Sequence, residues 1–574
     1  MCNRYNSLAQ IQCVQLNLQH SRSATSNLTQ IILEKNIDIA FIQEPYTVSN
    51  NVTGFPKSFR IFSHGNGRKR SAIITANKNI DSILISQLSD EDCVVVEFTH
   101  KNLNFLGASI YCDIDFDVEN ITKKVEKVIR AARGKGLILS MDTNARSRTW
   151  YDVITNERGR KLENFIITSD LLIMNEDNGI PTFQSTRGRS WIDLTICNNL
   201  LAHCTKDWAC GELESCSDHN IILFRIVSGK VDRMITNYIG KKYNINPEGL
   251  KIFENNVIDN LLISFKCRNA RANMSICDEE LCNKARTMND LNELVTSFIN
   301  CISKACDSAF RVLYPGKRAY ARKSVPWWCN ELTILRKKTQ ALRRRYQRTI
   351  NNESLRNERK LQYQMGKRMY QAKLQQQKIK SWKQFCTETS NSNPWNAVYK
   401  LAAGKLHNQT GLSTLQTQNG TYTTNLASTI QHLMDNFIPE DDNSTDDEHQ
   451  RQTRLQVMQP IDTPADEDFT KEEILSALKK FNPKKAPGED GLNSEILLTT
   501  FNCVPKFFTE VYNRCLKTGY FPNQWKRPHI VPMTKPGKED IAEVSKYRLI
   551  SLLNIGGKLL EGLLIDRINH HIFF

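Results

Sequence analysis

Between residues 1 and 228, short apolar segments recur, and polar side chains cluster where they end. Ile11–Leu18, Ile37–Ile42, Cys93–Phe98, Leu103–Tyr111, Gly136–Met141, Trp191–Ile196 and Ile221–Ile226 have the length and composition of strands. Val118–Arg133 and Glu157–Ser169, which fall between some of them, read as helices. That mixture restricts this part of the chain to the α/β class and predicts two sheets packed face to face with outer helices.

The polar residues at the strand ends carry the chemistry. Asn17 lies at the end of the first strand, Glu44 ends the second just before Pro45, and Tyr111 ends another. Asp142 and Asn144 close the Gly136–Met141 strand, Asp193 lies within Trp191–Thr195, and Ser217, Asp218 and His219 precede the last strand. Each alone is weak, since a Glu after a strand is most often a loop residue. As a set they suit phosphodiester hydrolysis. A hard divalent cation held by few carboxylates fits Mg²⁺ on Glu44. Asp142 can align and deprotonate the attacking water, while the Asn17 and Asn144 amides hold water and phosphate oxygens without adding negative charge. A protonated His219, oriented by Asp193, can stabilise charge building on the phosphorane. Tyr111 can donate to a phosphate oxygen.

At these residues the sequence resembles the endonuclease/exonuclease/phosphatase superfamily, and within it the apurinic-like endonuclease of LINE-type (non-LTR) retrotransposons. Gln15-Leu16-Asn17-Leu18, Ile42-Gln43-Glu44-Pro45, Asp142-Thr143-Asn144-Ala145-Arg146-Ser147, Ser190-Trp191-Ile192-Asp193-Leu194-Thr195 and Ser217-Asp218-His219-Asn220 match it in order. Asn156-Glu157-Arg158-Gly159 and Pro181-Thr182-Phe183 also match, and Met141 departs from the Gly that many members carry there. The resemblance covers residues 8 to 226 and implies a two-sheet α/β sandwich. It implies a catalytic set of Asn17, Tyr111, Asp142, Asn144, Asp193, Asp218 and His219. Glu44, Asn17 and Asp218 would hold Mg²⁺, with Mn²⁺ as the alternative ion, and Thr182 and Ser217 would buttress the site. In that family the 3′-hydroxyl left by nicking target DNA primes copying of the element's RNA, which makes DNA and element RNA the expected partners.

Residues 229–460 read as a helical, basic linker region. From Thr333 to Lys383 there are 16 Lys and Arg against the acidic Glu353 and Glu358, a local net of +14, with no proline and Gly366 as the sole glycine. One long helix or a helical hairpin is predicted. The stretch is either a solvated face or a nucleic-acid contact through residues such as Arg343, Arg344 and Arg345; the sign imbalance favours the contact. Residues 440–448 are acidic and predicted as an exposed linker, and Thr470 with Glu473 forms a capping box with Phe469 stapled onto Ile474. Pro505–Lys517 is a second helix, ended by Gly519.

In residues 461–574, Pro483–Leu492, His529–Lys538 and Tyr547–Asn554 resemble the fingers region of retrotransposon reverse transcriptases, with Leu549 where a Pro is usual. That likeness implies that Lys535 and Arg548 lie near an incoming triphosphate. The palm aspartates of such polymerases would lie downstream of Phe574, so the expectation is a truncated reverse transcriptase that does not synthesise DNA.

The net charge of +16 suits a polyanionic partner, either nucleic acid or an anionic membrane surface. No stretch has the ~18 uncharged apolar residues of a membrane span, so no membrane and no small-molecule cofactor are expected. The chain is expected to be intracellular: cytoplasmic on synthesis, nuclear where it acts. Its 17 cysteines include no CxxC pair, and the six-residue spacing of Cys204, Cys210 and Cys216 matches no zinc pattern, so reduced, buried thiols are expected. Two other functions remain: an inactive nucleic-acid-binding remnant of such an element, or a cellular apurinic-site repair enzyme, against which residues 326–574 argue.

Overall fold

The computed structural model describes residues 10–185, 188–211, 213–227, 242–264, 287–313, 324–349, 352–390, 409–457, 466–483, 485–535 and 542–573. Of the sequence expectations, Lys484, residues 536–538 and the stretches 229–241, 265–286 and 314–323 lie outside them. The chain forms two compact units. One is built from the described residues of Met1–Thr236, Tyr320–Ile438 and Thr534–Tyr547, the other from those of Asn237–Ala319, Pro439–Met533 and Arg548–Phe574.

Strand register decides where polar side chains meet in the first unit. Strands β1 (Gln10–Asn17) and β2 (Ile39–Gln43) pair in parallel with Asn17 opposite Gln43. In a second sheet, β3 (Leu103–Tyr111) and β4 (Gly136–Asp142) pair in parallel with Tyr111 opposite Asp142. Strand β5 (Asp193–Asn198) runs antiparallel to β4 and sets Asp193 opposite Asp142, while β6 (Ile222–Val227) runs antiparallel to β1. The first sheet has the order Thr205–Cys210, β6, β1, β2, Ser71–Thr75, Arg60–Phe62, Gln409–Thr410; the second has Leu171–Ile173, β5, β4, β3, Cys93–His100, Asp81–Leu84, Leu412–Ser413. This is the two-sheet sandwich expected from the strand pattern.

Alternation along each strand sends one set of side chains between the sheets. Ile11, Cys13, Ile39, Phe41 and Phe224 from the first sheet meet Val94, Val96, Phe98, Phe105 and Ile138 from the second. Phe41 and Phe224 stack with centroids 6.3 Å apart, and Phe98 and Phe105 at 5.2 Å. Each fully buried side chain of this kind contributes about 1.5–3 kcal/mol. Helices α1 (Arg22–Lys35), α2 (Val118–Ala131) and α3 (Glu157–Thr168) cover the outer faces, with Val118, Ile121, Val125 and Leu162 packing on the second sheet.

The basic stretch folds as a hairpin of α4 (Asn330–Arg348) and α5 (Glu353–Ser390). It departs from the expected linker, because it packs against the first unit. Leu332, Tyr370 and Leu374 join the apolar cluster around Leu28, Ile31 and Ile32 of α1. The reason is visible in α1, whose Thr25, Ser26, Asn27, Thr29 and Gln30 are all buried. Such polar groups tolerate burial only when hydrogen-bonded: the Tyr370 hydroxyl donates to Asn27 Oδ1 at 2.7 Å, and Lys378 Nζ donates to Ser26 Oγ at 2.7 Å. Residues 409–413 also leave the expected linker, adding a parallel strand to the edge of each sheet. The described residues of Thr534–Tyr547, expected with the fingers, also cluster in this unit.

The second unit gathers Tyr243, Phe253, Phe298, Phe469, Phe508, Tyr512 and Trp525 into one apolar cluster. Thr470 and Glu473 form the capping box of Lys471–Lys479, with Phe469 and Ile474 buried in that cluster. Pro505–Thr518 ends on Gly519 at φ 58°. In the acidic segment, Asp441 and Asp446 pair with the exposed Arg454. Among the described residues no helix is long and apolar enough to cross a membrane.

Asn156 caps α3, its Oδ1 accepting from Gly159 N at 2.7 Å and from Arg146 N at 3.1 Å, which ties the helix to the segment after β4. A Cβ on Gly159 would collide with the Arg146 carbonyl, whereas one on Gly188 meets nothing within 4 Å. Gly159→Ala is therefore expected to cost about 1–3 kcal/mol, and Gly188→Ala to stay within about 0.5 kcal/mol of the parent. Thermal midpoints of the two variants check this, and equal midpoints would contradict the packing.

Candidate functional site

Strands β1 and β4 end side by side, one in each sheet, and the Asn17 amide donates across them to Asp142 Oδ2 at 2.7 Å. The row set by register across the second sheet adds Tyr111 and Asp193 on either side of Asp142. His219 enters from the segment before β6. Its Nδ1 lies 2.9 Å from Asp193 Oδ2 and its Nε2 lies 3.9 Å from Asp142 Oδ2. The Phe183 ring stands edge-on to the imidazole with centroids 4.8 Å apart. Thr182 Oγ1 accepts from Asp193 N at 3.0 Å. Ser217 Oγ donates to Asn17 O at 2.8 Å and accepts from His219 N at 3.2 Å, so the two small hydroxyls hold backbone on both sides of the histidine.

Glu44 stands beside this group on a left-handed backbone, φ 45°, a conformation that costs a non-glycine residue roughly 1–2 kcal/mol. Two backbone bonds hold it there: its N–H donates to Arg70 O and its carbonyl accepts from His20 N, both at 2.8 Å. The Glu44 carboxylate lies 3.3 Å from His20 Nε2, and His20 Nδ1 lies 2.9 Å from Pro45 O. Burial opposes ionisation of Glu44, but hydrogen bonds from His20 and Asn17 and the nearby histidine charges outweigh it and lower its pKa.

The remaining expected residues are placed as follows. Asn144, at φ 47°, donates one amide N–H to Cys112 O at 3.0 Å, which ties it to the segment after β3. Tyr111 keeps its phenolic proton, because burial and the charges of Glu44 and Asp142 raise its pKa; the Arg70 guanidinium lies 5.4 Å from its ring centroid. Asp218 sits at the rim, paired with Lys367 Nζ at 3.2 Å. Arg343, expected on a nucleic-acid surface, is only 2% exposed and pairs with Glu214, so that expectation is corrected. Arg344 and Arg345 are exposed on α4. Lys535 Nζ donates to Ser545 O at 2.7 Å, and Arg548 is exposed.

The site concentrates negative charge. Burial and the neighbouring Asp193 push Asp142 up to about 7, against the pull of His219. Burial alone would lower His219, but Asp193 and Asp142 reverse the sign and raise it to about 9. Ligand atoms of Asp142, Asp193 and His219 all lie within 4.8 Å of one another, and the three can bind a metal ion. Glu44 and Asp218, expected as ligands, lie outside that trio; the Glu44 carboxylate bonds to His20 and Asn17, and Asp218 pairs with Lys367. Cys204, Cys210 and Cys216 join no such group among the described residues. Sequence reasoning missed His20, Arg70 and Lys367. His20 sits three residues past Asn17 with no periodicity to mark it, and the partners of the other two are distant in sequence.

A histidine whose pKa is raised by folding stabilises the fold fully below its unfolded value, about 6.5, and loses that contribution as pH rises through the folded value. In EDTA, the thermal midpoint of the parent minus that of His219→Gln is therefore expected to shrink as pH rises from about 6.5 to about 9. A gap that stays constant or widens over this range would contradict the Asp193–His219 pairing.

Fold and site together define an α/β sandwich of the endonuclease/exonuclease/phosphatase type. Residues 105–223 match the family described as endonuclease–reverse transcriptase. The chain is 25% identical over 571 residues to the putative 115 kDa protein in type-1 retrotransposable element R1DM of Drosophila melanogaster, covering 97% of this chain and 52% of that protein. It is 24% identical over 550 residues to the retrovirus-related Pol polyprotein from type-1 retrotransposable element R1 of Bradysia coprophila, covering 91% and 50%. Among solved structures, the endonuclease domain of TRAS1, a telomere-specific non-LTR retrotransposon, is 28% identical and covers 38% of this chain and 100% of that one, with a TM-score of 0.35. Over these residues the chain is similar to the endonuclease–reverse transcriptase proteins of type-1 retrotransposable elements. It spans about half the length of the curated relatives it matches.

Proposed function

We propose that residues 10–227 carry a Mg²⁺-dependent endonuclease, with Mn²⁺ as the alternative ion. It nicks target DNA and leaves a 3′-hydroxyl from which the element's RNA is copied, which makes the nucleus the place of action. The observation that carries this reading is the cross-sheet convergence of Asn17 and Asp142 beside the Asp193–His219 pair. Glu44 and Asn17 offer hard oxygen donors that fit such a cation, and Glu44 is held in its ionised form. When bound, the cation supplies Lewis-acid polarisation of a phosphate oxygen.

The chain's own residues do the rest. Asp142, near neutrality in its titration, is placed to accept the proton of an attacking water. His219, kept protonated by Asp193, opposes the charge gathering on the phosphate oxygens. Tyr111, its proton retained, donates to a non-bridging oxygen. Glu44→Ala is expected to abolish nicking of supercoiled plasmid by the folded chain, and His219→Ala to lower turnover by about 10²-fold or more. Near-normal turnover in either folded variant would remove that residue from the chemistry.

The exposed face of α4, with Lys337, Lys338, Arg344, Arg345 and Arg348, fits nucleic-acid phosphates. Replacing Arg344 and Arg345 by Ala is expected to flatten the logarithmic salt dependence of DNA affinity by about 2. An unchanged slope, read from fluorescence anisotropy across a salt series, would make this face a solvated surface only.

A further inference from the structure

His219 is delivered by residues 213–218, which the first sheet and α1 hold in part: Ser217 Oγ donates to Asn17 O at 2.8 Å, Asp218 N donates to Gln19 Oε1 at 2.8 Å, and Asn27 Nδ2 donates to Glu214 O at 2.6 Å. Ser215 Oγ lies 2.6 Å from His219 O and 3.0 Å from Ser217 O, and Cys216 sits at φ 62°. A further set of contacts comes from the helical hairpin. Arg343 Nη1 donates to Ser215 Oγ at 2.9 Å and lies 3.5 Å from Glu214 Oε1, to which the Tyr363 hydroxyl also donates at 3.3 Å. Gln340 donates to Gly211 O at 3.0 Å, and Gln371 to Cys216 O at 3.4 Å. Lys367 Nζ reaches Ser217 O at 3.4 Å as well as Asp218.

Docking alone would need only apolar burial, and the hairpin has that where Leu332, Tyr370 and Leu374 meet α1. Against residues 213–218 the hairpin adds polar, directed contacts to the apolar packing of Cys216, and both Arg343 and Glu214 are withdrawn from water at 2% and 1% exposure. A buried charge is tolerated when it is paired and hydrogen-bonded, so Arg343 has a fixed geometry, and Ser215 passes that geometry to the His219 backbone.

We propose that Arg343 is a positioning residue for His219, acting through Ser215, and that the catalytic unit comprises residues 324–390 as well as 10–227. This rests on the role given to His219 under the proposed function. A displacement of about 1 Å at a reacting group costs on the order of 10²-fold in rate, which sets the expected effect.

The test uses the full chain as Arg343→Met and as the double variant Arg343→Met with Glu214→Gln. The double variant removes the carboxylate that the single change leaves buried and unpaired, so it folds even where the single variant does not. The double variant is expected to recover the thermal midpoint while plasmid nicking keeps a kcat about 10²-fold low and an unchanged KM. Amide hydrogen exchange at residues 214–219 is expected to rise about tenfold or more while exchange in β1 and β4 stays as in the parent. Full kcat in the double variant, or exchange at 214–219 equal to the parent's, would overturn the proposal by reducing Arg343 to a counter-charge for Glu214. A parent chain that fails to nick would refute the nuclease reading, and the exchange measurement would still decide whether the hairpin holds the loop.

Discussion

Gln15 and Gln43 are fully buried at the interface between two otherwise apolar sheet faces, and the site depends on the bonds they make. Gln15 Nε2 donates to Met141 O and Leu194 O at 3.2 Å, and its Oε1 accepts from Thr195 Oγ1 at 2.9 Å. Thr195 Oγ1 in turn accepts from Trp208 Nε1 at 3.0 Å. Gln43 Nε2 donates to Ser109 Oγ at 3.0 Å and to Ser140 O at 2.9 Å. An amide left unpaired in such a place costs about 1–3 kcal/mol, so sliding one sheet past the other breaks several bonds together. Apolar packing tolerates small adjustments, whereas this polar seam admits one register. In that register Asn17 meets Asp142.

The chemistry follows from what the seam brings together. Asp142 and Asp193 are buried side by side with Glu44 close enough to raise the Asp142 pKa, and like charges repel strongly in such surroundings. Relief comes from His219, raised by its two aspartates, and from the His20 contact to Glu44. In the proposed function a cation would relieve the carboxylates and a phosphodiester would meet the imidazolium. Left-handed backbone at Glu44 and Asn144 turns the chain just past the ends of β2 and β4.

Most of the sandwich was legible in the sequence because its strands alternate or run apolar for the length of one sheet crossing. Leu103–Tyr111 was read with its observed bounds, and Glu157–Ser169 within a residue of them. Helix α1 is not legible in the sequence, since Thr25, Ser26, Asn27, Thr29 and Gln30 are polar and Asn27 is buried against partners more than 180 residues away, Glu214 and Tyr370. For the same reason the hairpin was taken for a linker: its charge is obvious locally, but the partner surfaces of Arg343 and Lys367 are not. Site residues on strand ends were legible, because strand ends are where an α/β scaffold presents chemistry. His20 and Arg70 were not, because they act through neighbours that only the fold supplies.

The central claim is that this centre cleaves one DNA strand and leaves an extendable end. It is tested most directly by incubating the full chain with supercoiled plasmid and Mg²⁺, isolating the open circles, and offering them to a DNA polymerase with labelled nucleotides. The account predicts open circles whose nicks are extended at once, because water attacks phosphorus with the 3′-oxygen as leaving group, which departs, protonated, as a 3′-hydroxyl and leaves a 5′-phosphate. Plasmid that stays supercoiled, or nicks extended only after a 3′-phosphatase has acted, would contradict it.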